Sequence, residues 1–89
     1  QTSRVIARVM NPKVLLKKTL NGVEDLIGVA HFKRKEGNAV VLQYRKELCI
    51  LDIFFYGRAG QQESTYYEFR SRKKTSLNIS ECINKMVKN

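Results

Sequence analysis

AVVLQYR (Ala39–Arg45) and LCILDIFFY (Leu48–Tyr56), separated only by Lys46-Glu47, are the two segments whose reading decides the fold. Both are of strand length and rich in β-branched and aromatic residues. So short a connection predicts an antiparallel hairpin with Arg45 opposite Leu48. Alternation then places Val40, Leu42, Tyr44, Cys49, Leu51, Ile53 and Phe55 on one face, which is the core face. Asp52 is left on the other face, in the middle of the most apolar strand of the chain.

Upstream, His31–Lys35 reads as a polar edge strand with Phe32 as its apolar contact, followed by a turn at Glu36-Gly37-Asn38. Downstream, Gly57–Gln62 reads as a hairpin loop and Tyr66–Arg72 as the next strand. Thr19 is a suitable N-cap for a short helix over 20–27, with Leu20, Val23, Leu26 and Ile27 on one side and Gly28 past its end. A second helix is predicted over 79–87. Asn78 caps it, Glu81 completes a capping box, and Ile79, Cys82, Ile83 and Met86 form its apolar stripe. Asn78-Ile79-Ser80 also matches a glycosylation acceptor, but the cap accounts for Asn78. The expected fold class is α+β: an antiparallel sheet of three to four strands over 31–72, with two short helices packed on one face. Residues 1–18 read as a tail or strand, set off by Asn11-Pro12, and 19–89 as a single domain.

The charge balance narrows the choice of partner. Seventeen Lys and Arg against eight Asp and Glu give a formal +9 over 89 residues. Such a surface attracts nucleic acid, anionic lipid or an acidic protein face. Arg70, Arg72, Lys73 and Lys74 are the densest cationic cluster and the candidate contact for an anionic partner. No apolar run reaches membrane-spanning length. The sequence opens at Gln1 rather than Met, which is read as a sign that residues precede it, a removed signal peptide among the readings.

No constellation for catalysis emerges. A Cys49–His31 dyad can be written down, but a thiol in an apolar strand is held protonated and inert. Gly57-Arg-Ala-Gly60 lies between two strands and not before a helix, so it reads as a loop rather than a phosphate cradle. Two cysteines and His31 do not make a tetrahedral metal set. No metal or other cofactor is expected. A nucleic-acid reading rests on aromatics among cations: Tyr44-Arg45, Tyr66-Tyr67, Phe69-Arg70 and Arg72-Lys73-Lys74. Core packing is the favoured reading of those aromatics, since alternation turns half of them inward.

Asp52 needs a partner, because an unpaired carboxylate at a half-buried position is costly. Pairing Tyr56 with Ser64 would set Asp52 opposite Glu68, and facing like charges destabilise a sheet. A slide of two residues pairs Tyr56 with Tyr66 and sets Asp52 opposite Arg70. The loop then runs from Gly57 through Thr65. The expectation is therefore a structural Asp52–Arg70 ion pair in that register, with a solvated Asp52 on an open sheet face as the alternative.

Cys49 and Cys82 both point into the interface between the sheet and the last helix. On the pattern alone they are either buried thiols or a disulfide. A resemblance bears on the choice. Thr19–Gly28, Phe32-Lys-Arg-Lys-Glu-Gly37, Gln43-Tyr44, Cys49-Ile-Leu-Asp-Ile-Phe-Phe-Tyr56, Tyr67-Glu-Phe-Arg70 and Cys82 follow one another in an order that resembles small alphaproteobacterial envelope proteins of the SmpA/OmlA (BamE-like) lipoprotein plan. The resemblance covers about residues 15 to 83. Val29-Ala30 departs from the usual Pro, and Cys49 and Cys82, both interior, are the only cysteines, so neither reads as a lipid-attachment site. The resemblance implies a Cys49–Cys82 disulfide and a periplasmic or outer-membrane-peripheral location. It also implies a non-enzymatic interaction or scaffold role toward an envelope protein or an anionic membrane surface. A small basic nucleic-acid-binding domain is the alternative.

Overall fold

Four strands follow one another as a meander: β1 (Phe32–Glu36), β2 (Ala39–Arg45), β3 (Cys49–Tyr56) and β4 (Glu63–Ser71), all antiparallel and adjacent in chain order. The computed structural model describes residues 11–47, 49–58, 60–72 and 78–86. Helix α1 (Leu20–Ile27) precedes the sheet and helix α2 (Ile79–Met86) follows it, making the α+β arrangement anticipated from the pattern.

The helix ends are built as the local chemistry dictates. Thr19 Oγ1 accepts from the Gly22 N–H at 3.0 Å, and Gly28 closes α1 in the left-handed region at φ 93°. At α2 the capping box is reciprocal: Asn78 Oδ1 accepts from the Glu81 N–H, and Glu81 Oε1 accepts from the Asn78 N–H, each at 2.9 Å. Asn11 caps a 3₁₀ turn over Pro12–Leu15 by accepting from the Lys13 N–H. That turn belongs to the fold, because Leu15 is fully buried.

One cluster holds the core. It joins Val40, Leu42, Tyr44, Cys49, Leu51, Ile53 and Phe55 of the sheet to Val23 and Ile27 of α1 and to Cys82, Ile83 and Met86 of α2. These seven sheet residues are the face derived from alternation alone. Ala39, Val41 and Phe54 form a smaller buried group on the opposite face.

The pairing registers depart from expectation while preserving the faces. In the β2–β3 hairpin Arg45 stands opposite Ile50, two residues beyond the expected partner Leu48, and Lys46 donates its N–H to the Cys49 carbonyl. Lys46-Glu47 lacks the Gly or Asn of a two-residue turn, so the connection is longer. Because side chains alternate with period two, a shift of two leaves every residue on its own side.

The β3–β4 register is a correction. Asp52 stands opposite Glu68 and Tyr56 opposite Glu63, not Arg70 and Tyr66. A bulge interrupts the ladder, with Phe54 opposite Tyr66 and Phe55 opposite Ser64, so that Thr65 is the extra residue. Ser64 explains the bulge. It is fully buried, its hydroxyl donates to the Leu15 carbonyl at 2.6 Å, and it accepts from the Lys18 N–H at 2.9 Å. The Ser64 backbone also accepts from Lys17 N–H at 2.7 Å and donates to the Lys18 carbonyl at 2.8 Å. Four hydrogen bonds to one short segment start β4 at Glu63 and hold Lys17 in the left-handed region at φ 60°.

Phe32 is a second correction. Its register partner is Gln43, which puts it on the face away from the helices, 54% exposed. Expected as the apolar contact of the edge strand, it lies beside the Arg45 guanidinium and outside the core cluster.

Cys49, the first residue of β3, is bonded to Cys82 of α2 across a Cα–Cα distance of 6.3 Å and 33 residues of sequence. Both residues are fully buried. On the loop-entropy account, a bond closing this much chain stabilises the fold by roughly 3–4 kcal/mol. Reduction, or replacement of Cys82 by Ser, is therefore expected to lower the thermal midpoint by on the order of 10 °C or more, with the far-ultraviolet circular dichroism of the folded baseline retained. A midpoint indifferent to reductant would refute this.

Candidate interaction surface

The face of β3 opposite the helices is organised around Asp52. Its side chain is buried, and its Oδ1 accepts from Gln43 Nε2 at 2.8 Å. Arg70 lies diagonally across the β3–β4 ladder, with Nη2 at 3.8 Å from Asp52 Oδ2. The expected ion pair is thus present, but reached from the neighbouring position rather than from directly opposite. Glu68, which does stand opposite, is exposed and accepts from the Tyr66 hydroxyl at 3.2 Å. This turns its charge toward Tyr66 and makes the facing carboxylates tolerable. Gln43 is the partner that charge reasoning did not supply, since a neutral amide gives no charge signal.

Arg70 and Arg72 sit at the end of β4. Arg72 Nη1 donates to the Lys46 carbonyl at 3.0 Å, tying it to the β2–β3 connection. Arg45 and Arg70 flank Ile50 in one row across three strands. The Arg45 guanidinium lies 5.8 Å from the centre of the Phe32 ring. Lys73 and Lys74, the other half of the expected cationic cluster, lie outside the described residues.

Charge on this face is balanced. Pairing and alternation set Arg34, Arg45 and Arg70 beside Glu36, Asp52, Glu63 and Glu68. Aromatics are available on it: Tyr56 and Tyr66 are about half exposed, and Tyr66 packs at a tilt on Phe54, with ring centres 5.3 Å apart. The unbalanced cations lie elsewhere. Lys33 and Lys35 stand on the helix side of β1, and Lys35, Asn38, Tyr56, Arg58 and Gln62 line an open groove of about 580 Å³ between the β1–β2 and β3–β4 turns.

Cys49 and His31 form no dyad. The Cys49 sulfur is bonded to Cys82, and His31 Nδ1 accepts from the Arg45 N–H at 3.2 Å. Among the described residues no three His, Cys, Asp or Glu side chains group as metal ligands. Two phenols are perturbed. Burial, and secondarily the Glu24 carboxylate, pushes Tyr44 well above the ordinary tyrosine range, and its hydroxyl donates to the Gly28 carbonyl at 2.6 Å. Tyr66 is raised by its hydrogen bond to Glu68.

Two outcomes follow. Tyr44 is uncharged in the fold, so its stabilising effect is complete below pH about 10 and is lost as the pH climbs above that value. Tyr44→Phe is expected to cost about 1–2 kcal/mol at neutral pH and to flatten the alkaline decline, as read from urea unfolding at a series of pH values. Asp52→Ala, which strands the Gln43 amide, is expected to cost about 1–3 kcal/mol, whereas Arg70→Ala, with a side chain 61% exposed, is expected to cost under about 1 kcal/mol. Equal costs would show that the ion pair, not the amide bond, anchors Asp52. No family model, curated protein or solved structure matches this chain.

Proposed function

We propose that this protein is a non-enzymatic interaction module of the bacterial envelope, resident in an oxidising compartment at the periplasmic or outer-membrane periphery, where its cations engage an anionic partner. The observation that carries this reading is the fully buried Cys49–Cys82 disulfide. Structural disulfides persist in exported proteins and are rare in reducing ones. The SmpA/OmlA-like order of motifs points the same way. The net charge of +9 supplies the attraction to an acidic protein face or an anionic membrane surface, through the β1 lysines and through the Arg70, Arg72, Lys73 and Lys74 cluster, in which Arg70 is already shared with Asp52.

A small basic nucleic-acid-binding domain is the second reading, favoured by the exposed rings of Phe32, Tyr56 and Tyr66. The four carboxylates among those rings weigh against it, because phosphates would meet a face with no cationic excess.

The test begins with the thiols. Protein denatured in alkylating agent without reductant is expected to leave Cys49 and Cys82 unmodified by mass spectrometry. Stoichiometric alkylation of both in protein from its native cell would overturn the oxidising-compartment assignment. Binding to vesicles containing anionic lipid, or to an acidic protein, is expected to weaken steeply with added salt. Salt-tolerant, sequence-selective retention on RNA or DNA would favour the second reading instead.

A further inference from the structure

The two edges of the sheet are finished differently. Along β4 the ladder is broken by the bulge at Thr65 and the outer side of Ser64 is occupied by the backbone of Lys17 and Lys18, while among the described residues no segment hydrogen-bonds along the outer side from Tyr66 to Ser71, where the cations are interleaved with Glu68 and Arg70 lies beside Asp52. β1 pairs with β2 in unbroken register from Phe32 to Glu36, and all five of its residues are exposed. Among the described residues no segment hydrogen-bonds along its outer side. A regular strand edge of this kind is a template for another strand.

Charge decides which strand. A second copy pairing edge to edge would set Lys33-Arg34-Lys35 against itself, and facing like charges oppose such pairing. The other stretches of this sequence bring no opposite charge: residues 1–10 contain Arg4 and Arg8, residues 73–77 contain Lys73 and Lys74, residues 87–89 contain Lys88, and none contains an acid. Arg34 is already paired with Glu36 at 3.0 Å, but Lys33 and Lys35 make no ion pair among the described residues. Cations on an edge can also serve simply to repel other strands. An exposed phenylalanine at the end of a purely protective edge works against that purpose, and Phe32 is more than half exposed there, with Arg45 beside its ring.

We infer that β1 is a docking edge for an extended acidic segment of another protein, which adds as a fifth strand. Its carboxylates face Lys33 and Lys35 on the helix side, and an apolar side chain at one end contacts Phe32. The inference rests on the interaction-module reading above and names the partner's chemistry. Backbone pairing supplies the geometry, and the lysines select acidic sequences.

The experiment uses the full chain and a fluorescent peptide of alternating Glu and Val ending in Phe, beside the same peptide N-methylated at alternate amides. Methylation leaves the charge intact but prevents strand pairing. The unmodified peptide is expected to bind, with amide chemical-shift changes concentrated at 32–36, and the methylated one at least about ten-fold more weakly. Replacing both lysines (K33E and K35E) is expected to weaken binding by a similar factor, while Arg58→Gln, across the groove from β1, changes it little. Equal binding of the two peptides would overturn the inference, leaving only diffuse attraction. Failure of both peptides alongside salt-sensitive binding to anionic vesicles would also overturn it, yet leave the interaction-module reading standing.

Discussion

The Cys49–Cys82 bond is the constraint on which the placement of the last helix rests. α2 is eight residues long, shorter than a helix that persists by itself in water. Its capping box satisfies the first turn but says nothing about where the helix docks. What docks it is Cys82, Ile83 and Met86 joining the core cluster that includes Leu15 and the buried face of the sheet, with the covalent bond to Cys49 as its anchor. A chain of this size buries too little surface to be generous with stability, and a crosslink between its central strand β3 and α2 adds to it. The same bond closes off thiol chemistry at Cys49.

Ser64 is the second fastening, made entirely of hydrogen bonds. By binding Leu15, Lys17 and Lys18 it ties the 3₁₀ turn to the core and covers the start of β4 at one edge of the sheet. The price is a bulge in β4 and a lysine in the left-handed region. The start of the β4 edge is occupied by the chain itself, while β1 keeps a regular ladder, three consecutive cations and an exposed ring. The broad face between the edges, with its arginines answered by carboxylates, is a poorer surface for polyanions than the overall charge suggests. Net charge describes attraction at a distance; the distribution over faces and edges decides where a partner settles.

The Asp52 site shows how far charge reasoning carries. A carboxylate in the middle of an apolar strand must be neutralised or hydrogen-bonded, and that requirement was readable before any coordinates, as was Arg70 as one answer to it. The route was not. Arg70 approaches on the diagonal, Glu68 occupies the facing position, and the strongest contact comes from Gln43 on the other neighbouring strand. That Lys33 and Lys35 lie on an edge strand was readable from the polar pattern of residues 31–35, whereas the side of the sheet they face follows from their register with Leu42 and Val40.

Everything with a local cause was determined by the sequence itself. Caps follow from Thr19, Asn78 and Glu81, which bond to backbone within three residues of themselves. The buried face of the hairpin follows from alternation, a property of each strand alone, and survives any register shift of two. The registers, the bulge and the exposure of Phe32 were decided only by tertiary structure. Registers two apart bury the same side chains, so the hydrophobic pattern is blind to the difference. Contacts between residues 49 apart, Ser64 with Leu15, broke the tie. Such contacts depend on the whole chain having closed, and no stretch of sequence near Ser64 carries their trace.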